Sequence, residues 1–179
     1  FVCSLLFAYY VPKQIIKKAP SSQQIGTTRW IEWQDIGLGV AGLVPYFLLA
    51  GVFVSIVGLF MPLDLAQKQD IGFSILSTST EVMMAFITLV VVAPIVEELL
   101  FRGYFYGALR SFMGVFGSSL VVSMVFGVLH GQWNVGVNVF ALSLVMCLLR
   151  EYTGSVWAGI VLHMTKNALA FYMLFVHVL

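Results

Sequence analysis

Runs of apolar residues alternate with short polar segments, and this pattern predicts six membrane helices. The first run, residues 1–11, is short and begins at the first residue, so we interpret it as the tail of a truncated helix. Residues 37–60 carry no charge over 24 positions, which is enough to cross a hydrocarbon core of about 30 Å. Four more helices are predicted, from about Glu81 to Phe112, over residues 120–133, from about Val135 to Arg150, and from about Ser155 to the end. The predicted fold is an all-α, polytopic membrane helix bundle.

Polar residues 12–36 form a connector between the first two helices, and residues 61–80 form a second connector. If the spans alternate in direction, most of the basic residues fall on the side of the first connector. Basic residues mark the cytoplasmic side of membrane proteins, so we predict that the 12–36 connector is cytoplasmic. We interpret residues 1–179 as a single transmembrane domain. The basic residues on this side are Lys13, Lys17, Lys18, Arg29, Arg102, Arg110 and Arg150, against Lys68 on the other.

Composition supports the membrane interpretation. The chain is 60% hydrophobic and only 9% charged, whereas soluble domains carry roughly 25% charged residues. A net charge of +1 and the absence of a basic patch with interleaved aromatic residues argue against a nucleic-acid partner. The partner that the composition does require is the lipid bilayer. Cys3 and Cys147 lie in apolar runs and are interpreted as small buried hydrophobic residues.

The acidic pair Glu97 and Glu98 lies inside a very apolar helix, with Arg102 four residues later. A charged side chain at the centre of a bilayer costs about 2.5 kcal/mol or more, so such residues usually serve function. Residues four apart share a helix face, so Glu98 is predicted to pair with Arg102. Glu97 is rotated by about 100° from Glu98 and is predicted to face the bundle interior.

Two histidines extend this polar set. His130 shares a helix face with Phe126, and His163 shares one with Asn167. If the third and fourth helices form a hairpin turning at Gly114, Glu97 lies 17 residues before the turn and His130 lies 16 after it. The two should therefore stand at nearly the same depth.

A carboxylate and an imidazole held together can activate a water molecule as general bases. His163 and Asn167 would then donate hydrogen bonds to the oxyanion that forms on an attacked carbonyl. This set is sufficient to hydrolyse an amide without a nucleophilic serine or cysteine. His163 lies only about 12 Å from the start of its helix, whereas Glu97 lies about 25 Å from the turn. We therefore expect a bend after Arg102, at Gly103 and Gly107.

Other interpretations remain open at this stage. Glu97, His130 and His163 also make up a possible zinc set, although we expect no cofactor. The acidic pair and Arg102 could form an ion pair that only joins helices. Asn138 could line the cavity or bond across helices, and His177 is expected at the membrane interface. Lys166 is assigned no role.

Three motifs, in this order, resemble one family: Glu97-Glu98-x-x-x-Arg102, Phe126-x-x-x-His130 and His163-x-x-x-Asn167. They are similar to the motifs of the CAAX protease and bacteriocin-processing family, CPBP or Abi, of intramembrane glutamic endopeptidases, which includes the type II CAAX prenyl endopeptidases. The flanking sequences FRGYFYGAL and EYTGSVWAGIVLH also resemble family members. The resemblance covers residues 81–175, which would form the catalytic core.

The resemblance implies a multi-pass membrane peptidase, with a bacterial plasma membrane as the expected location. Glu97 and His130 would activate water, His163 and Asn167 would hold the oxyanion, and Glu98 and Arg102 would orient Glu97. The implied substrate is a peptide or protein, in some family members lipidated near its C-terminus. The alternatives are a non-enzymatic bacteriocin-immunity or partner-binding protein on the same scaffold, and a proton-coupled transporter.

Overall fold

The computed structural model describes Tyr10, residues 21–62 and residues 78–176. Every regular element in these ranges is helical. We number the helices in chain order: α1 Ser22–Ile25, α2 Trp33–Gly58, α3 Ser79–Arg110, α4 Val115–Val128, α5 Trp133–Thr153 and α6 Trp157–Phe171, which continues in a π-helical turn, Tyr172–Val176.

The predicted all-α membrane bundle is confirmed. Helices α2, α3, α5 and α6 are long and apolar enough to cross a membrane, and α4 is a shorter apolar helix. Each predicted helix in the described ranges is present, with ends shifted by a few residues. The predicted first helix lies outside the described residues except for Tyr10, as do Cys3, Lys13, Lys17, Lys18, Lys68 and His177.

Helix α3 begins with a capping box. The Thr78 hydroxyl accepts a hydrogen bond from the backbone N–H of Glu81, and the Glu81 carboxylate accepts one from the Thr78 backbone N–H. The sequence suggested a start near Glu81, but the helix begins two residues earlier because Glu81 completes the cap from the third helical position.

Helices α5 and α6 form the middle of the bundle. Helix α6 packs against the first half of α2, against α3 and against α5, and α5 also packs against α4 and the second half of α2. The main apolar core lies between these helices and includes Phe101, Phe126, Leu142, Met146 and Leu162, all essentially buried. This arrangement brings the middle of α3, the end of α4 and the middle of α6 together.

Helix α4 is too short to cross a bilayer. Its 14 residues rise about 21 Å, against a hydrocarbon core of about 30 Å. The chain leaves α4 through a tight turn at His130, where Gly131 has a φ of 73° that favours glycine. His130 therefore lies in the short turn that joins the C-terminal end of α4 to the start of α5.

The predicted polar connector is not a loose linker, because α1 is docked on the bundle. Arg150 is buried, and one of its terminal nitrogens donates to the backbone oxygens of Gln23 and Gln24, at 3.1 and 3.0 Å. These carbonyls lie at the C-terminal end of α1, where a cation is favoured. The remainder of the connector is also attached: Val156 N–H donates to the Gly26 oxygen and the Trp157 indole N–H to the Arg29 oxygen. The final residues of the predicted connector, 33–36, are the first turn of α2.

Two glycines of α3 allow α1 to approach closely. A Cβ atom at Gly103 would stand 2.9 Å from a methyl carbon of Ile25, and one at Gly107 would collide with the backbone oxygen of Gln24. The sequence interpretation gave these glycines a different purpose, a bend after Arg102. Their observed surroundings show that they make room for α1.

We expect the substitution Gly107→Ala to displace α1 and lower the unfolding temperature of the purified protein by several degrees. Overpacking of this kind costs about 1–3 kcal/mol, and each kcal/mol shifts a chain of this size by roughly 2–4 °C. Gly51→Ala is the matched control, because a Cβ atom there meets nothing within 4 Å. Equal unfolding temperatures for the two variants would show that α1 docking does not need Gly107.

Candidate active site

The acidic pair sits between two π-helical stretches of α3. Ile87–Val92 and Leu99–Phe105 are π-helical and flank the α-helical turn Ala93–Glu98. Wide turns of this kind are rare and occur often at functional sites. The sequence analysis predicted a bend after Arg102 but did not predict π-helical turns.

Glu98 is at the centre of a buried ionic cluster. Its Oε1 atom accepts a hydrogen bond from an Arg102 terminal nitrogen at 2.7 Å, which confirms the predicted contact. The same oxygen lies 3.1 Å from His163 Nδ1. All three side chains are almost completely buried. Gly159 on α6 makes space for the other carboxylate oxygen, since a Cβ atom there would be 3.1 Å from Glu98 Oε2.

This contact fixes the hydrogen on one side of the His163 ring. An ionised carboxylate can only accept, so Nδ1 carries the hydrogen that Glu98 binds. Nε2 then points toward Glu97, with its nitrogen 3.8 Å from Glu97 Oε2. His163 therefore lies between the two carboxylates, a contact with Glu98 that the sequence analysis did not predict.

Glu97 and Glu98 have different surroundings. The side chain of Glu98 is 0% exposed, while that of Glu97 is 16% exposed. Glu97 makes no hydrogen bond to another described residue, and its charged neighbours are His163, Glu98, Arg102 and Lys166. Glu97 is thus the carboxylate that water or a substrate can reach, whereas Glu98 is completely buried.

His130 lies at the end of α4, with Nδ1 2.7 Å from the backbone oxygen of Phe126. A carbonyl only accepts, so Nδ1 carries the hydrogen and Nε2 of the neutral ring is left as an acceptor. The Phe126 ring contacts both imidazoles edge-on, with centroid distances of 4.8 Å to His130 and 5.9 Å to His163. It also lies 4.4 Å below the Arg102 guanidinium carbon. Phe126 therefore separates and orients the groups of the site, a role that the sequence did not reveal.

Equal depth for Glu97 and His130 stays a prediction. Both residues are neighbours of His163, Glu97 by the 3.8 Å contact and His130 through the Phe126 ring and an electrostatic interaction.

Asn167 is held by the backbone of α3. Its Nδ2 atom donates to the Leu89 oxygen at 3.0 Å. That carbonyl has lost both possible donors of its own helix: the Ala93 N–H is bound to the Thr88 oxygen, and Pro94 has no N–H. One amide hydrogen of Asn167 is engaged there, and the second remains for another acceptor.

Lys166 also belongs to this cluster, although the sequence analysis gave it no role. Its Nζ atom lies 3.5 Å from Asn167 Oδ1, and it interacts electrostatically with Glu97. Spacing alone could have suggested this position, because Lys166 is three residues after His163 on one α-helix.

Asn138 is bonded within its own helix, where Nδ2 donates to the Asn134 oxygen at 2.7 Å, and it makes no hydrogen bond across helices to the described part of the chain. In the described ranges, no group of three or more His, Cys, Asp or Glu side chains has the arrangement of a metal site. The three possible zinc ligands of the sequence analysis thus do not form such a group.

Comparison with known proteins is consistent with this geometry. Residues 79–169, which contain all three motifs, match the family model described as type II CAAX prenyl endopeptidase Rce1-like. The chain is also similar to "Putative membrane peptidase YdiL" of Bacillus subtilis (strain 168), with 24% identity over 173 residues. That alignment covers 93% of this chain and 64% of the relative, so the chain spans a little less than two thirds of the relative's length. No solved structure matches the chain.

Proposed function

Since this chain belongs to the Rce1-like family of type II CAAX prenyl endopeptidases, we propose that it is an intramembrane protease that cleaves a peptide bond with a carboxylate-activated water. The observation that carries the proposal is the difference between the two glutamates. Glu97 is partly open and next to an imidazole, while Glu98 is sealed in an ion pair. A reactive carboxylate needs access, and a buried one needs a fixed partner.

In the proposed reaction, Glu97 takes a proton from water while the water oxygen attacks the scissile carbonyl carbon. His130 supports this step as a second base, since its Nε2 is available as an acceptor. The proton then passes to the departing amine as the carbon–nitrogen bond breaks. Water is thus divided between the new carboxyl group and the new amine, and no covalent enzyme intermediate is needed.

The negative charge on the carbonyl oxygen requires hydrogen-bond donors. Asn167 has one free amide hydrogen, and its position is fixed by the Leu89 carbonyl. His163 donates from Nε2 when its ring carries both protons, with Glu98 holding Nδ1. Arg102 balances the charge of Glu98 and holds the Glu98 Oε1 atom that contacts His163 Nδ1.

The proposed substrate is a membrane-anchored peptide or protein, with a lipid group near its C-terminus as the finer expectation from the family.

The proposed mechanism uses no metal ion. A strong chelator should therefore leave cleavage unchanged. If a chelator abolished cleavage and zinc restored it, a metal centre and not Glu97 would activate the water.

The experiment that tests the proposal is a comparison of protein termini in membranes from cells that carry the parent chain or the Glu97→Gln variant at equal abundance. We expect new termini that appear only with the parent. Synthetic peptides that span the cleaved site, with and without a C-terminal prenyl group, then establish whether the lipid is required. Identical sets of termini, together with biological complementation by the variant, would indicate a binding or immunity protein instead.

A further inference from the structure

The Arg102 guanidinium has more hydrogen-bond donors than the described part of the chain satisfies. The side chain is completely buried, and its Nη1 atom donates to Glu98. Its Nε and Nη2 atoms are also buried, and neither has a hydrogen-bond partner among the described residues. Glu98 Oε2 is likewise a buried acceptor without a donor in these ranges. Unbound polar groups are unfavourable in an apolar core, and most more so when charged, so this ion pair requires a further partner.

Two serines on neighbouring helices are in the same condition. The hydroxyls of Ser123 on α4 and Ser143 on α5 are completely buried and make no hydrogen bond to the chain that the structure describes. Serine and threonine inside a helix often bond to their own backbone, as the Thr153 hydroxyl does to the Leu149 oxygen at 2.8 Å. The two serine hydroxyls are therefore available to a partner that lies between the helices.

Measured contacts place Ser123 beside the guanidinium. The Arg102 guanidinium carbon lies 4.4 Å from the centroid of the Phe126 ring. Ser123 comes three residues before Phe126 and shares its face of α4. Cys147 on α5 is the third member of this place, since it has electrostatic interactions with both Arg102 and Ser123.

A second contact fixes the level of α5 against α3. Helix α4 returns between them, so α3 and α5 run in the same direction, and the Tyr106 hydroxyl donates to the Glu151 carboxylate at 2.8 Å. Four residues before these two, Arg102 and Cys147 stand at one level. Ser143 is one further turn along the same face of α5, level with the carboxylate that Arg102 binds. The unbound guanidinium nitrogens and both serines thus lie within one part of the core.

We propose that Arg102, Ser123 and Ser143 form a binding site for internal water. Water accepts from the guanidinium and exchanges hydrogen bonds with the hydroxyls, and buried waters typically make about three such bonds to otherwise unsatisfied groups. A small anion could only accept, and it would stand beside the Glu98 carboxylate, which would repel it. The bound water holds Arg102 on its unpaired side and so keeps the buried ion pair in place. The site does not rest on the proposed function, because it is detected without a substrate.

The first test is the unfolding temperature of purified full-length Ser123→Ala and Ser143→Ala in lipid nanodiscs. Each change removes a partner of the water, so we expect each variant to unfold at least about 2 °C below the parent. In a dry site the same change would remove an unbound hydroxyl from the core, and the unfolding temperature would stay or rise. Ser55→Ala is the matched control, because Ser55 is exposed on α2. A shift of either variant no larger than that of the control would overturn the proposal.

The second test detects the water directly and needs no variant. X-ray pulses convert bound water into hydroxyl radicals, which label the side chains next to it, and Cys147 is the reporter because it is completely buried. Leu162 is equally buried but faces α2, where a Cβ atom at Gly42 would lie 3.1 Å from it. With each rate divided by that of the denatured chain, we expect Cys147 to be labelled at least about tenfold faster than Leu162. Equal protection of the two residues would show that the site is dry.

A third measurement separates water from an anion. Replacement of chloride by gluconate in the buffer should leave the unfolding temperature of the parent unchanged, since water does not depend on the salt. A stabilisation by chloride that Ser143→Ala removes would assign the site to an anion and would overturn the proposal.

Discussion

Replacement of Glu97 by Gln is expected to reduce cleavage of a verified substrate about 10³-fold, which is within the range that a general base contributes. Gln has nearly the same shape as Glu, but its amide cannot take a proton from water. The variant should still insert into membranes and fold, because Glu97 makes no hydrogen bond to another described residue. The measurement is single-turnover cleavage by purified enzyme in nanodiscs.

Glu151→Gln is the control for this change, since it makes the same replacement in a carboxylate that lies outside the site and pairs with Arg110. It should cleave at close to the parent rate. If His130 is the supporting base, His130→Gln should lower the cleavage rate by a smaller factor than Glu97→Gln does. Cleavage by Glu97→Gln at the parent rate would show that Glu97 is not the base.

The substitution Arg102→Met is expected to have the largest effect on stability. Glu98 is completely buried, and its direct cationic partner is Arg102 at 2.7 Å. Removing one member of a buried ion pair costs about 3–5 kcal/mol, because the other charge is left without compensation. This corresponds to a drop of roughly 10 °C in the unfolding temperature of a chain of this size.

Two variants make this prediction specific. Arg110→Met removes a cation whose pair with Glu151 is partly exposed, with side chains 40% and 30% accessible, and it should cost at most about 1 kcal/mol. The double variant Glu98→Gln/Arg102→Met removes both buried charges and should regain part of the stability. If Arg102→Met and Arg110→Met unfold at the same temperature, the buried pair contributes no more than a surface pair.

Local spacing was sufficient to predict one contact of the site. Glu98 and Arg102 are four residues apart, and this separation brings side chains together even though the stretch between them is partly π-helical. The membrane helices were predicted for a similar reason, because long apolar runs are a property of the chain itself.

The contacts between helices could not be read from the sequence. His163 meets Glu98 across 65 residues. The apolar run of α6 does not specify whether the His163 ring faces Glu97, Glu98 or neither carboxylate of α3. The docking of α1 depends on Arg150, which is 126 residues from Gln24. Both contacts depend on how the helices rotate about their axes, which an apolar run does not specify.

Pro94 was a signal that the sequence analysis did not use. A proline inside a helix removes one donor, and the structure shows which carbonyl is left available for the side chain of another helix. The position of Asn167 is thus partly encoded in α3, far from Asn167 along the chain. A proline in a membrane helix therefore indicates a backbone carbonyl that a side chain of a neighbouring helix can bind.

The short length of α4 also has a consequence for the surrounding lipid. If α4 starts at one headgroup layer, its length of about 21 Å brings it to roughly 9 Å before the other. Acyl chains cannot satisfy the polar groups of the turn at its inner end, so the bilayer must thin or water must descend to meet them. We therefore expect a local dimple in the membrane above His130, through which hydrolytic water arrives from the side opposite α1.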